Sequence, residues 1–108
     1  MFRNVAPNKI LEKSIQALAP TGGLMRRGIV TAANPIRAMV AIATEDGGHT
    51  IVELLSDWEL KRGDIISWNN DYELGHETYH NQTRGTRSEV YVQNHGVSTA
   101  DLPAQLLL

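Results

Sequence analysis

Residues 28–42, GIVTAANPIRAMVAI, read as a strand, a tight turn at Asn34-Pro35 and a second strand. Small and β-branched residues lie on both sides of an Asn-Pro pair, which interrupts a ladder and starts a turn. A hairpin of this kind opens a small antiparallel β-barrel. Downstream, short apolar runs recur between turn residues at the spacing such barrels use. The first two strands are expected at about 26–33 and 37–44. Glu45-Asp46-Gly47-Gly48 follows as a hairpin turn, because Asp-Gly and Gly-Gly supply the positive φ that tight hairpins need. A third strand is expected at about 49–55, a turn at Leu60–Asp64, a fourth strand at Ile65–Trp68 and a last one at Glu89–Gln93. Residues 70–87 are open to two readings, a long loop or a short strand near Thr78–Asn81.

Upstream, Asn8–Ala19 places Ile10, Leu11, Ile15 and Leu18 near one face of a helix, with Asn8 as N-cap and Pro20 and Gly22-Gly23 closing it. This segment either packs loosely on the barrel as an extension or fills a groove or an oligomer contact. The division expected is 1–24 as helical extension and hinge, 25–98 as barrel and 99–108 as an apolar tail. That tail ends in Leu106-Leu107-Leu108 and is expected to form a short helix or cap the barrel. The fold class is therefore all-β: a five-stranded OB-like antiparallel barrel, with room for an extra strand, plus one N-terminal α-helix.

A chain of 108 residues supports one modest core. Its 42% hydrophobic and 20% charged composition suits a globular chain rather than a disordered one. No apolar run reaches the roughly 18–20 residues a membrane helix needs, and no signal-peptide pattern is visible, so the cytoplasm is the expected compartment. With no cysteine, disulfides, thiolate metal sites and thiol nucleophiles are excluded. Residues 1–24 carry a net charge of +2 and residues 25–108 a net −4. An acidic barrel weighs against phosphate binding, which draws most of its affinity from a basic surface.

At Gly28, Val30, Asn34, Arg37 and Ile42 the first hairpin resembles the cold-shock domain, a five-stranded OB barrel. Asp46-Gly47, Thr50-Ile51-Val52 and Leu60 with Gly63 continue the resemblance, which covers roughly residues 28–68. It implies an OB barrel that binds single-stranded nucleic acid by stacking bases on aromatics of the first three strands. Each stacked base contributes about 1–3 kcal/mol, but here Ala32, Met39, Ala41, Ile51 and Glu53 hold those positions. Several kcal/mol of stacking are thus forfeited, and Glu53 repels phosphate. The chain is also similar to small uncharacterised bacterial proteins that share Asn-Pro-x-Arg-x-Met-Val-Ala and Thr-Glu-Asp-Gly, a similarity that implies no biochemical function.

His76-Glu77-Thr78-Tyr79-His80 spells H-E-x-x-H, the zinc-protease string. That chemistry needs a helix to bring both histidines to one face. Gly75 before it and Asn81–Gly85 after it favour strand or loop, where the two imidazoles stand about 13 Å apart at roughly 3.3 Å per residue. A chance match is the preferred reading. Asp57, Asp64 and Asp71 read as solvated turn carboxylates. With no nucleophile elbow, phosphate loop or dinucleotide fingerprint, the expectation is a non-enzyme with no catalytic residues, no cofactor and no metal.

Binding residues are the remaining candidates. Trp68 ends an apolar strand and is expected in the core, while Trp58 is a lid on one barrel end or, less favoured, an exposed anchor. Tyr72, Tyr79 and Tyr91 with Arg84 and Arg87 could form a stacking surface. Arg37 reads as an outward strand residue paired with Glu53 or Glu45, or as a phosphate contact. Met39, Ala41 and Ile51 would make an apolar patch suited to a protein surface. The leading expectation is a binding module acting through protein–protein contact or self-association. Weak, salt-dependent single-stranded nucleic-acid binding comes second, and a zinc hydrolase a distant third.

Overall fold

The computed structural model describes residues 25–108. The expected helix over 8–19 and its hinge lie outside the described residues. Six strands form a closed barrel: β1 (Arg26–Asn34), β2 (Met39–Thr44), β3 (His49–Leu54), β4 (Ile65–Trp68), β5 (Gly75–Asn81) and β6 (Thr86–Val97). A single 3₁₀ turn (Thr99–Asp101) and a one-turn helix, α1 (Leu102–Gln105), follow. No helix among the described residues is long and apolar enough to cross a membrane.

The antiparallel barrel is as the sequence indicates, but it has six strands rather than five. The additional strand is β5, in the stretch that read as loop or short strand. Its outward residues, His76, Thr78 and His80, are polar, so it lacks the apolar run that marks β2 or β4. Around the barrel the order is β1-β2-β3-β6-β5-β4, with every pairing antiparallel. Two three-stranded meanders are thus joined by one crossing connection, residues 55–64, and each meander closes the other. Arg37 lies in the β1–β2 turn rather than in β2: its amide donates to Asn34 O at 3.2 Å, and Ala38 takes a positive φ of 56° to bring the chain back into β2.

The interior is filled from all six strands by Val30, Val40, Ile42, Val52, Ile66, Trp68, Tyr79, Val90 and Val92, with Trp58 closing the end. The two rings of Trp68 and Tyr79 stack with centroids 4.6 Å apart and planes 3° from parallel. Gly28 has a steric reason: a Cβ there would stand 2.5 Å from Ala43 O. Trp58 is the lid: it is buried, and its indole N–H donates to Thr86 Oγ1 at 3.0 Å.

Tyr79 carries a defect. Its hydroxyl is fully buried and has no hydrogen-bond partner. Burial, with a smaller contribution from the Glu77 charge, pushes the phenol well above its ordinary range. A stranded hydroxyl costs about 1–3 kcal/mol, so Tyr79→Phe should stabilise the fold by about 1 kcal/mol, read by urea unfolding. Because the folded phenol titrates above the unfolded one, the wild-type fold keeps its stability below about pH 10 and loses part of it as the pH rises further. The phenylalanine variant should show a smaller alkaline loss.

Candidate protein-binding face

A β-bulge between Val30 and Ala32 shifts β1 by one residue. Beyond it Ala32 and Asn34 turn to the outer surface, beside Met39 and Ala41 of β2 and Ile51 of β3. The small Ala32 and Ala41, set between Met39 and Ile51, leave a shallow apolar seat on the outside of the barrel. The chain's own C-terminal segment fills it. Leu106 is 1% exposed and packs with Met39, Ala41, Ile51 and Val97, while Leu102 closes over the same cluster. Leu102 and Leu106 are four apart, so one helical turn puts both on the face that meets the barrel.

Asn34 latches the segment. Its buried side-chain amide donates to Leu106 O at 2.9 Å and Leu107 O at 3.4 Å, taking two carbonyls that the helix end leaves without intrahelical donors. The residue read as a turn former is thus also the polar anchor of the seat. Alongside the segment runs a cleft of about 450 Å³ lined by Arg37, Met39, Glu53, Gln93, Ala104, Gln105 and Leu107. Arg37 is exposed on its rim, and Glu53 accepts a hydrogen bond from Gln93 at 3.3 Å. The cleft thus sets the apolar Met39, Ala104 and Leu107 beside polar side chains and charges of both signs.

The expected open patch of Met39, Ala41 and Ile51 is therefore assembled as one surface, but it is covered: all three are buried beneath the tail. Sequence reasoning placed the patch and the tail separately and missed that one occupies the other. The signal available was the Leu102/Leu106 spacing together with the small Ala32 and Ala41 in the middle of the face.

The stacking cluster comes apart. Tyr79 lies inside the barrel, and the Arg84 guanidinium is committed to Asp64 at 2.8 Å and to Glu59 at 4.0 Å. Tyr72 donates to Asp46 at 2.8 Å and lies under the Arg26 guanidinium, 4.6 Å from its ring centre. Hydrogen bonds from Thr44, Tyr72 and the Gly48 amide hold the Asp46 carboxyl below its usual range. These contacts tie the loop after β4 to the β2–β3 turn. Tyr72 stays exposed but is engaged in these contacts, whereas Tyr91 and Arg87 lie exposed on the outer face of β6, with His76 edge-on to Tyr91 at 5.2 Å.

The H-E-x-x-H string occupies β5 as a strand. His76 and His80 point outward and Glu77 lies on the opposite face, so the three side chains do not converge. Among the described residues no group of three or more His, Asp or Glu is placed to hold a metal ion. Asp57 is an exposed turn carboxylate and Asp71 pairs with Arg26. Asp64 corrects the solvated reading: it is buried and accepts from Lys61 N at 2.9 Å, Asn81 Nδ2 at 2.9 Å and Arg84 Nε at 2.8 Å.

Comparison of the chain with protein-family models, with curated proteins and with solved structures finds no match.

Proposed function

We propose that this barrel is a non-enzymatic binding module whose outer β1–β2–β3 face receives a short leucine-bearing protein segment. The observation that carries this is the seated tail: Leu102 and Leu106 on an apolar floor, with their chain end held by Asn34. The recognition is of the helix-in-groove type, reduced to one turn and two anchors. The OB-like reading of the fold supports the same choice of face, since in that barrel plan ligands meet strands two and three. The β1–β2–β3 meander and the β1–β4 closure support that plan; the sixth strand departs from it.

The test uses the full chain with Leu106→Asp, which puts a charge in the seat and releases the tail. A ten-residue peptide of sequence TADLPAQLLL, residues 99–108, is titrated into it by calorimetry. Two leucines contribute about 1.5–3 kcal/mol each on burial, and ordering the peptide offsets part of this. Binding on the order of 0.1–1 mM is expected, with none to the wild type, whose seat is filled. No heat with a folded Leu106→Asp chain sinks the proposal.

A second reading, weak single-stranded nucleic-acid binding, rests on the outer ribbon of β5 and β6, where Arg87 stands across from His80 and Tyr91 across from His76. Glu89, between them, opposes it. Any affinity for an oligonucleotide should fall steeply as salt rises; affinity unaffected by salt would contradict a phosphate-based contact.

A further inference from the structure

Building on the reading of the outer face as a segment-binding surface, we propose that its partner is a second copy of this chain, with residues 99–108 exchanged reciprocally between two barrels. The segment is portable. Its backbone hydrogen bonds are internal, Leu106 N to Leu102 O at 2.8 Å and Leu108 N to Pro103 O at 2.9 Å among them. It adds no rung to the sheet, and its ties to the barrel are the leucine contacts and the two bonds from Asn34. A neighbour's tail can make every one of these contacts unchanged, so exchange gives up no packing and must overcome the cost of association and of opening the joint.

The joint suits such an exchange. Val97 is the last residue held in the sheet, paired with His49, and Leu102 is the first anchor. Between them Ser98 is extended, and residues 99–101 form one exposed turn closed by Asp101 N to Ser98 O at 3.1 Å and Ser98 Oγ to Asp101 at 3.0 Å. Opening that turn surrenders two solvent-exposed bonds, and residues 98–101 then extend by roughly 3.3–3.6 Å each, enough to carry the anchors to an adjacent barrel. Apolar side chains left uncovered beside the latch give the second barrel something to rest on: Ile36 is 92% exposed, Leu107 50% and Leu108 74%. A reciprocal exchange is closed by a two-fold axis and does not propagate.

The experiment mixes two full-length variants. Leu106→Asp keeps an open seat and loses its anchor; Ala41→Glu blocks the seat and keeps its tail. If Ala41→Glu loses its barrel spectrum, Met39→Lys on the same floor replaces it. Sedimentation should show the wild-type mass doubling between roughly 10 μM and 1 mM. Each variant alone should stay monomeric, and their mixture should form a one-to-one heterodimer. A monomeric mixture, with the free peptide still binding Leu106→Asp, overturns exchange and leaves the binding face standing. Failure of the peptide as well overturns both. Dimerisation of Leu106→Asp alone assigns self-association to another surface and likewise overturns exchange.

Discussion

Asp64→Ala should lower the unfolding free energy by about 2–4 kcal/mol, measured by urea unfolding at neutral pH. A charge-assisted hydrogen bond contributes about 1.5–3 kcal/mol, and losing a buried acceptor strands its donors. Asp64 gathers three of them, from the turn before β4, from the end of β5 and from the β5–β6 turn. Asn81 is the donor that cannot turn to water, being 1% exposed. Arg84 keeps a route to solvent, so the effect stays below a simple sum. The pH dependence follows from the same geometry. Burial pushes the Asp64 carboxyl up, but hydrogen bonds from Arg84, Asn81 and the Lys61 amide, with the Arg84 charge, together outweigh it and hold the carboxyl below its ordinary range. A lowered folded value means that the contribution is present above the unfolded value, about pH 4, and is lost as the pH falls through the folded one. The alanine variant should therefore lack this part of the acid loss that the wild type shows below pH 4. Equal acid sensitivity in both chains would contradict the assignment.

The second large effect is that of Leu106→Asp. A buried leucine replaced in place costs about 2–5 kcal/mol, and a carboxylate against Met39, Ala41 and Ile51 would cost more. The tail has a cheaper response, which is to leave. The loss of global stability is then limited to the free energy of docking the segment, about 2–4 kcal/mol, while the interior of Trp68, Tyr79 and Ile42 is untouched. Amide exchange should rise at Ala41, Ile51 and residues 102–108 and stay slow at Ile66 and Val90. A uniform rise throughout the barrel would mean that the tail is part of one cooperative core rather than an occupant of a face.

The strands that alternate cleanly were legible in the sequence. Ile65–Trp68 has the expected bounds, and β2 and β3 differ by a residue or two at their ends because turn residues such as Arg37 carry no apolar signal. β5 was obscured by its polar outer row, with Tyr79 as its one large apolar inward residue. β6 extends beyond Glu89–Gln93 at both ends: Thr86, Arg87 and Ser88 pair with β5, and register shifts around Ile51 let the stretch from Asn94 to Val97 stay with β3. The patch of Met39, Ala41 and Ile51 was legible as a surface, since alternation fixes which side chains share a face. Its cover was not, because pairing a tail with strands up to 72 residues away depends on the bulge in β1 and on the fit of Asn34, neither of which has a local pattern. Asp64 was misjudged for a related reason: a turn carboxylate becomes a buried hub only when Asn81 and Arg84 are brought to it by the barrel's closure.

The most direct measurement is a ¹⁵N–¹H NMR titration of the full-length Leu106→Asp chain with the peptide of residues 99–108. Saturable shifts confined to Ala32, Asn34, Met39, Ala41 and Ile51, and weakened at least several-fold by adding Asn34→Ala, are the predicted result. Shifts centred on Arg87 and Tyr91, or an unchanged spectrum from a folded barrel, would contradict the claim that this face is built to hold a leucine-bearing segment.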